Sequence, residues 1–208
     1  MKITSAIKQK NNPNMIQIHI DDSYAFSIPE EEYIRMNLYE KQELNSEEIR
    51  VIREEVNVQF AKQRALRILT IRYRTEYEIK EKLTSLGFDI ESVDAAILQL
   101  KSMGYINDRL FATKYISDRL KLKPRSKRAL NFELKKKGIS PDIIEQVIDE
   151  FEIDESVIAY RLARKKYGKY DMDDQKIQRR VISFLSHKGF SYEIIKGAME
   201  QMKEEQIW

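Results

Sequence analysis

Apolar and polar residues alternate with a period of two from Ile3 to Ile28. Two polar stretches, 11–14 and 21–23, interrupt the alternation. Alternating segments separated by polar turns are typical of antiparallel strands, because successive side chains of a strand point to opposite faces of the sheet. The pattern predicts a three-stranded antiparallel meander that ends at Pro29.

Two short helices are predicted after the strands. Acidic residues 30–32 suit the first turn of one helix, and Asn45 followed by Glu48 is a capping-box pattern at the start of the next. Acidic residues outnumber basic residues nine to four between Glu30 and Glu55. We therefore expect residues 1–57 to form a small α+β packing module with little affinity for nucleic acid.

From residue 58 onward the apolar pattern repeats with a period of 51 residues. Fixed-period similarity of this kind predicts tandem structural units. We expect a mainly α-helical fold with three three-helix, helix-turn-helix-like repeats at 58–104, 105–152 and 153–208, which together form an extended curved body. The repeated positions are Ala61, Ala112 and Ala163; Ile79, Leu130 and Val181; Leu83, Leu134 and Leu185; Gly87, Gly138 and Gly189; and Val93, Ile144 and Ile195.

Capping and helix-breaking residues divide each repeat into its helices. Thr75 and Ser126 are predicted N-caps of the second helix in the first two repeats, and Pro124 ends the helix that precedes Ser126. The glycine that follows the second helix in every repeat requires only a left-handed backbone. These glycines therefore carry no functional prediction.

The composition argues against an enzyme. With no cysteine and only two histidines, the chain cannot form a disulfide framework, a thiolate site or a His-rich metal site. Gly168–Lys169 lacks both the preceding glycine and the following hydroxyl of a phosphate-binding P-loop. We expect no catalytic residues, no metal and no cofactor. Because no window approaches the length of an apolar membrane span, we also expect a soluble, cytoplasmic protein.

Positive charge is concentrated in the middle of the chain. Between Asn107 and Gly138, 11 basic residues stand against three acidic ones, a net charge of +8, whereas the whole chain carries +3. Most of these cations surround the joint at Pro124, and a helix start at Ser126 adds backbone N–H donors for a phosphate or a carboxylate. This arrangement predicts a surface for an anionic partner. The run 135–137, taken alone, is better explained by solvation of an exposed helix face.

Smaller basic groups occur in the first and third repeats, and an acidic stretch from Asp142 to Glu155 separates the second and third. Alternating basic and acidic zones favour a protein partner that carries nucleic acid over a bare duplex. Three tyrosines, Tyr73, Tyr167 and Tyr170, could stack on bases, although helical spacing favours Tyr167 in the core. The predicted partner- and DNA-binding residues are Arg72, Arg74, Arg119, Lys121, Lys123, Arg125, Lys127, Arg128, Lys135, Arg164, Lys165, Arg179 and Arg180.

Two segments carry a distinctive combination of motifs. The first repeat contains 72–75 (RYRT) and the apolar and charged positions up to Leu83, and the second contains 105–108 (YIND) and 133–139 (ELKKKGI). In order, spacing and threefold repetition, residues 63–151 resemble the RecX family, bacterial regulators of the RecA recombinase. The joint from Lys121 to Ser126 departs from the more glycine-containing form of that family.

The resemblance implies a non-enzymatic regulator that binds the RecA filament on single-stranded DNA along its groove and mainly inhibits strand exchange and RecA ATP hydrolysis. Its setting would be homologous recombination, DNA repair and the SOS response. Direct DNA binding would be weak and dependent on salt. We expect a monomer without membrane contact.

Two alternatives stay open at this point. One is a RecA-independent, helix-turn-helix-type DNA-binding protein. The residues at the helix start argue against it, because Ser126, Lys127 and Arg128 offer mainly phosphate contacts and few that read bases. The other is a general helical scaffold that binds neither DNA nor a filament.

Overall fold

The first three elements form an antiparallel sheet in the computed structural model. Strands β1 (Ile3–Lys8), β2 (Met15–Ile20) and β3 (Ser23–Pro29) pair in the order β1-β2-β3, which confirms the predicted meander. Asp21 and Asp22 both have positive φ, 49° and 64°. Short polar side chains tolerate that conformation, and tight hairpin turns require it.

The structure describes residues 1–10 and 12–206. Asn11, which the sequence pattern places in the first turn, lies outside the described residues, as do the last two residues of the predicted third repeat. The chain divides into two compact units, Met1–Asp108 and Arg109–Trp208. Within the described part, no helix combines the length and apolar content that crossing a bilayer requires.

Two helices follow the sheet, α1 (Glu30–Arg35) and α2 (Ser46–Val51). The predicted capping box is present: the Asn45 side chain accepts a hydrogen bond from the Glu48 N–H at 2.8 Å, and the Glu48 carboxylate accepts one from the Asn45 N–H at 2.9 Å. Helix α2 continues through a π-helical segment, Ile52–Asn57, into α3 (Val58–Leu69). The buried Asn57 side chain donates to the Ser27 carbonyl at 2.5 Å, which ties this wider turn to β3.

Nine helices of the described chain form three sets of three, as the repeat predicts. The first set is α3, α4 (Glu76–Ser85) and α5 (Ile90–Ser102); the second is α6 (Asp108–Leu122), α7 (Lys127–Lys136) and α8 (Pro141–Asp149); the third is α9 (Glu155–Tyr167), α10 (Gln175–His187) and α11 (Tyr192–Gln206). Each set encloses its own cluster of buried apolar side chains. The 51-residue register places Leu83, Leu134 and Leu185 in equivalent core positions, each fully buried.

The predicted N-caps are also present. The Thr75 side chain accepts from the Glu78 N–H at 3.2 Å, and the Ser126 side chain accepts from the Ala129 N–H at 3.1 Å. Gly189 has φ +91°, and a Cβ there would clash with the Ser126 hydroxyl and lie 2.8 Å from the Ala129 Cβ. This glycine therefore satisfies two constraints, a left-handed backbone and a close approach to the start of α7.

A carboxylate from another helix completes each of these two caps. Asp108, the first residue of α6, accepts from the Glu76 N–H at 2.9 Å, and Glu155, the first residue of α9, accepts from the Lys127 N–H at 2.6 Å. Both contacts place a negative charge at a helix N-terminus, where unpaired N–H groups and the helix dipole favour it. Burial raises the pKa of Asp108 above its ordinary value, although the hydrogen bond from the Glu76 N–H acts in the opposite direction.

Replacing Gly189 by alanine should destabilise the protein more than the same change at Gly104. Gly104 also has positive φ, +77°, but a Cβ there would meet no atom within 4 Å. We expect a loss in free energy of unfolding of about 1 kcal/mol for G104A from the backbone alone, and about 2–4 kcal/mol for G189A because overpacking adds to it. Urea denaturation followed by circular dichroism measures both, and equal losses would contradict the close packing at Ser126.

The pH dependence of stability should reveal the burial of Asp108. A raised pKa in the folded state means that folding favours the protonated carboxyl, so wild type should lose stability relative to D108N as the pH rises above the ordinary carboxyl pKa of 3.8. Below that value the neutral acid carries no such penalty. Unfolding free energies of the two proteins across this interval test the sign, and a difference that grows in favour of wild type as the pH rises would refute it.

Candidate functional site

A groove on the second repeat collects three of the predicted binding residues. Lys127, Arg128 and Lys135 lie on one face of α7 and line a groove of about 640 Å³ between α7 and α8. We call this the α7 groove; its lining residues are Lys127, Arg128, Asn131, Phe132, Lys135, Pro141, Glu145, Ile148 and Asp149. The groove combines a cationic helix face with a wall that includes two carboxylates.

Phe132 is the apolar centre of this surface, and it was absent from the sequence-predicted site. Its side chain is 59% exposed, and the Lys136 ammonium lies 4.5 Å from the centre of its ring. The sequence did contain the signal: residues two apart on a helix are about 200° apart around its axis, so Phe132 must point away from the core position Leu130. An exposed aromatic side chain among cations makes this face of α7 a candidate interaction surface.

Two other predicted residues, Arg119 and Arg125, converge on one carboxylate instead of on an external surface. The Arg119 Nε donates to a Glu133 oxygen at 2.9 Å, and the Arg125 Nε lies 2.9 Å from the other oxygen. The Tyr115 hydroxyl donates to the same carboxylate at 2.6 Å and accepts from Arg119. Glu133 therefore holds together the two helices on either side of the Pro124 joint.

Electrostatics within this cluster favour the charged guanidinium. The hydrogen bond to Tyr115 raises the pKa of Arg119, and burial raises the pKa of the Tyr115 phenol. The Arg119 guanidinium also lies 4.9 Å from the centre of the Tyr115 ring. Because Arg119 and Arg125 already have a close carboxylate, they are less available to an anionic partner than the cations of the α7 groove.

The start of α7 does not offer the free anion site that the sequence suggested. Its first N–H, that of Lys127, is bound by Glu155, and the Ala129 N–H is bound by Ser126. The Ser126 N–H in turn donates to the Lys188 carbonyl at 3.1 Å. Two of the N–H donors that the sequence suggested for an external anion, those of Lys127 and Ala129, therefore have partners within the chain itself.

The remaining predicted residues lie outside the α7 groove. Lys121 and Lys123 are exposed at the end of α6 and in the joint. Arg72 is exposed and Arg74 half-buried in the turn between α3 and α4. In that turn the Arg74 Nε is buried without a hydrogen-bond partner among the described residues.

The third repeat divides its predicted residues between two places. Arg164 forms an ion pair with Glu205 at 3.2 Å, and Lys165 is exposed on the same helix. Arg179 and Arg180 line a groove of about 420 Å³ along α10. We call this the α10 groove; its lining residues are Lys166, Tyr167, Arg179, Arg180, Ser183, Phe184 and His187. Tyr167 is only 9% exposed, so it belongs to the core as its spacing predicted.

No group of three or more metal-binding side chains comes together in the described ranges 1–10 and 12–206. The chemistry of both grooves is instead that of charge, hydrogen bonding and aromatic contact.

Comparison with known proteins places this architecture in one family. Models of four RecX domains match the chain: the Regulatory protein RecX N-terminal domain at residues 1–45, and the first, second and third three-helix domains of RecX at 61–100, 107–148 and 154–199. A protein named Regulatory protein RecX from Clostridium perfringens (strain SM101) is 32% identical over 205 residues, which cover 97% of this chain and 96% of the relative. The chain belongs to the RecX family.

Further RecX proteins support the assignment. The Regulatory protein RecX of Clostridioides difficile (strain 630) is 33% identical over 202 residues, covering 96% of this chain and 95% of the relative. A crystal structure described as regulatory protein RecX has a TM-score of 0.65 at 24% identity and covers 96% of this chain and 100% of that one. That structural match supports the RecX fold and says nothing by itself about activity.

Removing the charge of Glu133 should destabilise this RecX-family chain. The E133Q variant keeps an acceptor oxygen but leaves two half-buried guanidinium groups without a counter-charge, and we expect its free energy of unfolding to fall by about 1–2 kcal/mol. The control is E145Q, the same change at an exposed position on α8. Urea denaturation compares them, and equal stability of the two variants would show that the cluster at the joint contributes nothing.

Proposed function

We propose that this RecX-family protein regulates the RecA recombinase by binding the RecA filament on single-stranded DNA, and that its main effect is to restrain strand exchange and the associated ATP hydrolysis. The α7 groove is the single observation that carries the proposal. Family membership supports it, since the relatives bear the name Regulatory protein RecX.

The α7 groove suits a protein partner with negative charge. Phe132 provides an apolar anchor of the kind that dominates protein interfaces, and Lys127, Arg128 and Lys135 surround it with charge. The carboxylate of Glu145 on the opposite wall would repel a phosphate backbone but could pair with a cation of a protein. A mixed surface of this kind favours a protein with DNA nearby over DNA alone.

The alternative, a RecA-independent helix-turn-helix-type DNA-binding protein, is less well supported. Such proteins place the N-terminal residues of the recognition helix against base edges in the major groove. At the start of α7 the Glu155 carboxylate binds the Lys127 N–H. A carboxylate in that position would face the phosphates and acceptor atoms of the groove, which opposes docking.

A regulator of this type acts by occupying a surface, so we propose no catalytic role and no cofactor. It would act as a monomer in the cytoplasm, where RecA works, in homologous recombination, DNA repair and the SOS response. The exposed predicted cations outside the α7 groove would make secondary contacts with the filament or its DNA; these are Arg72, Lys121, Lys123, Lys165, Arg179 and Arg180.

Charge reversal in the α7 groove should separate binding from folding. We expect K127E/R128E/K135E to weaken co-sedimentation with preformed RecA–single-stranded DNA filaments, and inhibition of strand exchange, by at least about tenfold. Removal of the anchor alone, in F132A, should weaken both by about thirtyfold, which corresponds to the loss of about 2 kcal/mol typical of an interface hot spot. Circular dichroism should show unchanged helical content.

The matched control is K82E/K169E/K196E, which changes the net charge equally at three exposed lysines that line neither groove. It should bind and inhibit as wild type does. Undiminished inhibition by the folded groove variant would refute the proposal. A sequence-selective footprint on duplex DNA without RecA would favour the helix-turn-helix alternative.

A further inference from the structure

The α10 groove differs from the α7 groove in its lining, which contains cations and no acidic side chain. Lys166, Arg179 and Arg180 line it, and no Asp or Glu does so. In the described part of the chain, none of these three side chains forms an ion pair. Elsewhere in the same unit, Arg109 pairs with Glu150 and Arg164 pairs with Glu205. Positive charge in this groove is therefore left for a ligand.

The 51-residue register explains why the third repeat differs. Phe184 stands at the position that Glu133 occupies in the second repeat, since 133 plus 51 is 184. In the second repeat the carboxylate pairs with two guanidinium groups and offsets one of their two positive charges. In the third, an aromatic ring attracts cations without neutralising them, because only the quadrupole of the ring acts on the charge.

Phe184 gathers two ammonium groups. The Lys166 Nζ lies 4.3 Å from the centre of its ring, and the Lys188 Nζ lies 5.3 Å from the same point. Burial lowers the pKa of Lys188, and the nearby charges of Arg125 and Lys166 lower it further. Lys188, Arg125 and Lys166 are therefore close enough to repel one another. A bound anion would reduce this repulsion.

The aromatic rings of the groove are already in use. Lys166 also lies 5.3 Å from the centre of the Tyr167 ring, and Tyr167 packs edge-on against Phe184 with ring centres 5.8 Å apart. Both rings therefore hold cations and each other. These contacts occupy ring surface that a stacking base would need.

The polar residues of α10 form a row along the helix. Arg179, Arg180, Ser183 and His187 line the groove at helical spacing. At 1.5 Å per residue, the row from 179 to 187 is about 12 Å long. That length accommodates more than one anionic group of a polymer.

We propose that the α10 groove binds the phosphodiester backbone of a single nucleic-acid strand through its phosphates, without stacking on or reading the bases. This inference deepens the proposed function by assigning the contact with DNA to α10 and leaving the α7 groove to the protein partner. A phosphate backbone is favoured over an acidic peptide because cations line the groove in a row, and its two rings, Tyr167 and Phe184, already contact Lys166 and each other.

The test is binding of a fluorescein-labelled oligothymidylate to the full-length protein, measured by fluorescence anisotropy across a salt series without RecA. For single strands, each phosphate contact contributes about −0.7 to the slope of log affinity against log salt. We expect R179E/R180E to weaken binding at low salt by at least about tenfold and to reduce the slope by about 1.4. R179K/R180K should bind as wild type does, because a point charge suffices for this contact.

The control R161E/K196E makes the same change in net charge at exposed residues of the same unit that do not line the groove, and it should bind as wild type does. A strand of the same length with abasic sites throughout should bind within about twofold of oligothymidylate. Equal weakening by the control, loss of binding to the abasic strand, or equal competition by polyglutamate would each overturn the inference.

The outcome is separable from that of the proposed function. If wild type fails to bind the oligonucleotide yet sediments with RecA filaments, the phosphate site is refuted and filament binding stands. If R179E/R180E loses only the oligonucleotide while K127E/R128E/K135E loses only the filament, both assignments are supported.

Discussion

Glu133 links the two helices on either side of the Pro124 joint through ion pairs. These ion pairs determine how much positive charge the second repeat exposes at the joint. The two Glu133 oxygens contact Arg119 and Arg125, and one of them also accepts a hydrogen bond from Tyr115. Without the carboxylate, two half-buried guanidinium groups would remain at the joint without a counter-charge. The contact therefore affects which cations a partner can reach. Arg119 and Arg125 at the joint are paired with Glu133, whereas the cations on the outer face of α7 are more available.

The three repeats share a core and differ in their surfaces. Leu83, Leu134 and Leu185 are fully buried in equivalent positions, because each repeat must bury the same inner face of its second helix. The outer faces carry no such constraint. Phe132 is exposed on α7, whereas on α10 the ring of Phe184 lies beneath lysine side chains. One scaffold thus presents an apolar anchor in one copy and a cluster of bare cations in another.

This difference gives the proposed regulator two kinds of contact. An aromatic anchor with mixed charge around it recognises a protein surface, whose shape and charge are specific. A row of cations without acidic partners recognises a phosphate backbone, whose charge is regular and independent of sequence. A partner made of protein and DNA offers both, and simultaneous binding at two sites on one chain would raise the overall affinity above that of either alone.

Much of the fold follows from the sequence by itself, because the responsible interactions are local or repeat at a fixed period. The strand alternation, the Asn45 capping box, the caps at Thr75 and Ser126 and the core register all involve neighbouring residues or apolar positions that must be buried. The predicted limits of the module and the repeats, and the predicted binding residues, stay predictions. Charge counting correctly indicated that the second repeat is strongly basic, but it could not say which cations are neutralised.

Only the tertiary structure decided that question. Residues 107–138 contain three acidic and 11 basic residues, and Glu133 is one of the three. Its carboxylate pairs with both Arg119 and Arg125, which the charge count alone does not indicate. Glu155 closes the start of α7 from a helix that begins 28 residues further along the chain. Long charged side chains pair with whichever opposite charges lie near them once the helices have packed. The pairing of charges therefore depends on three-dimensional proximity, which composition and periodicity do not reveal.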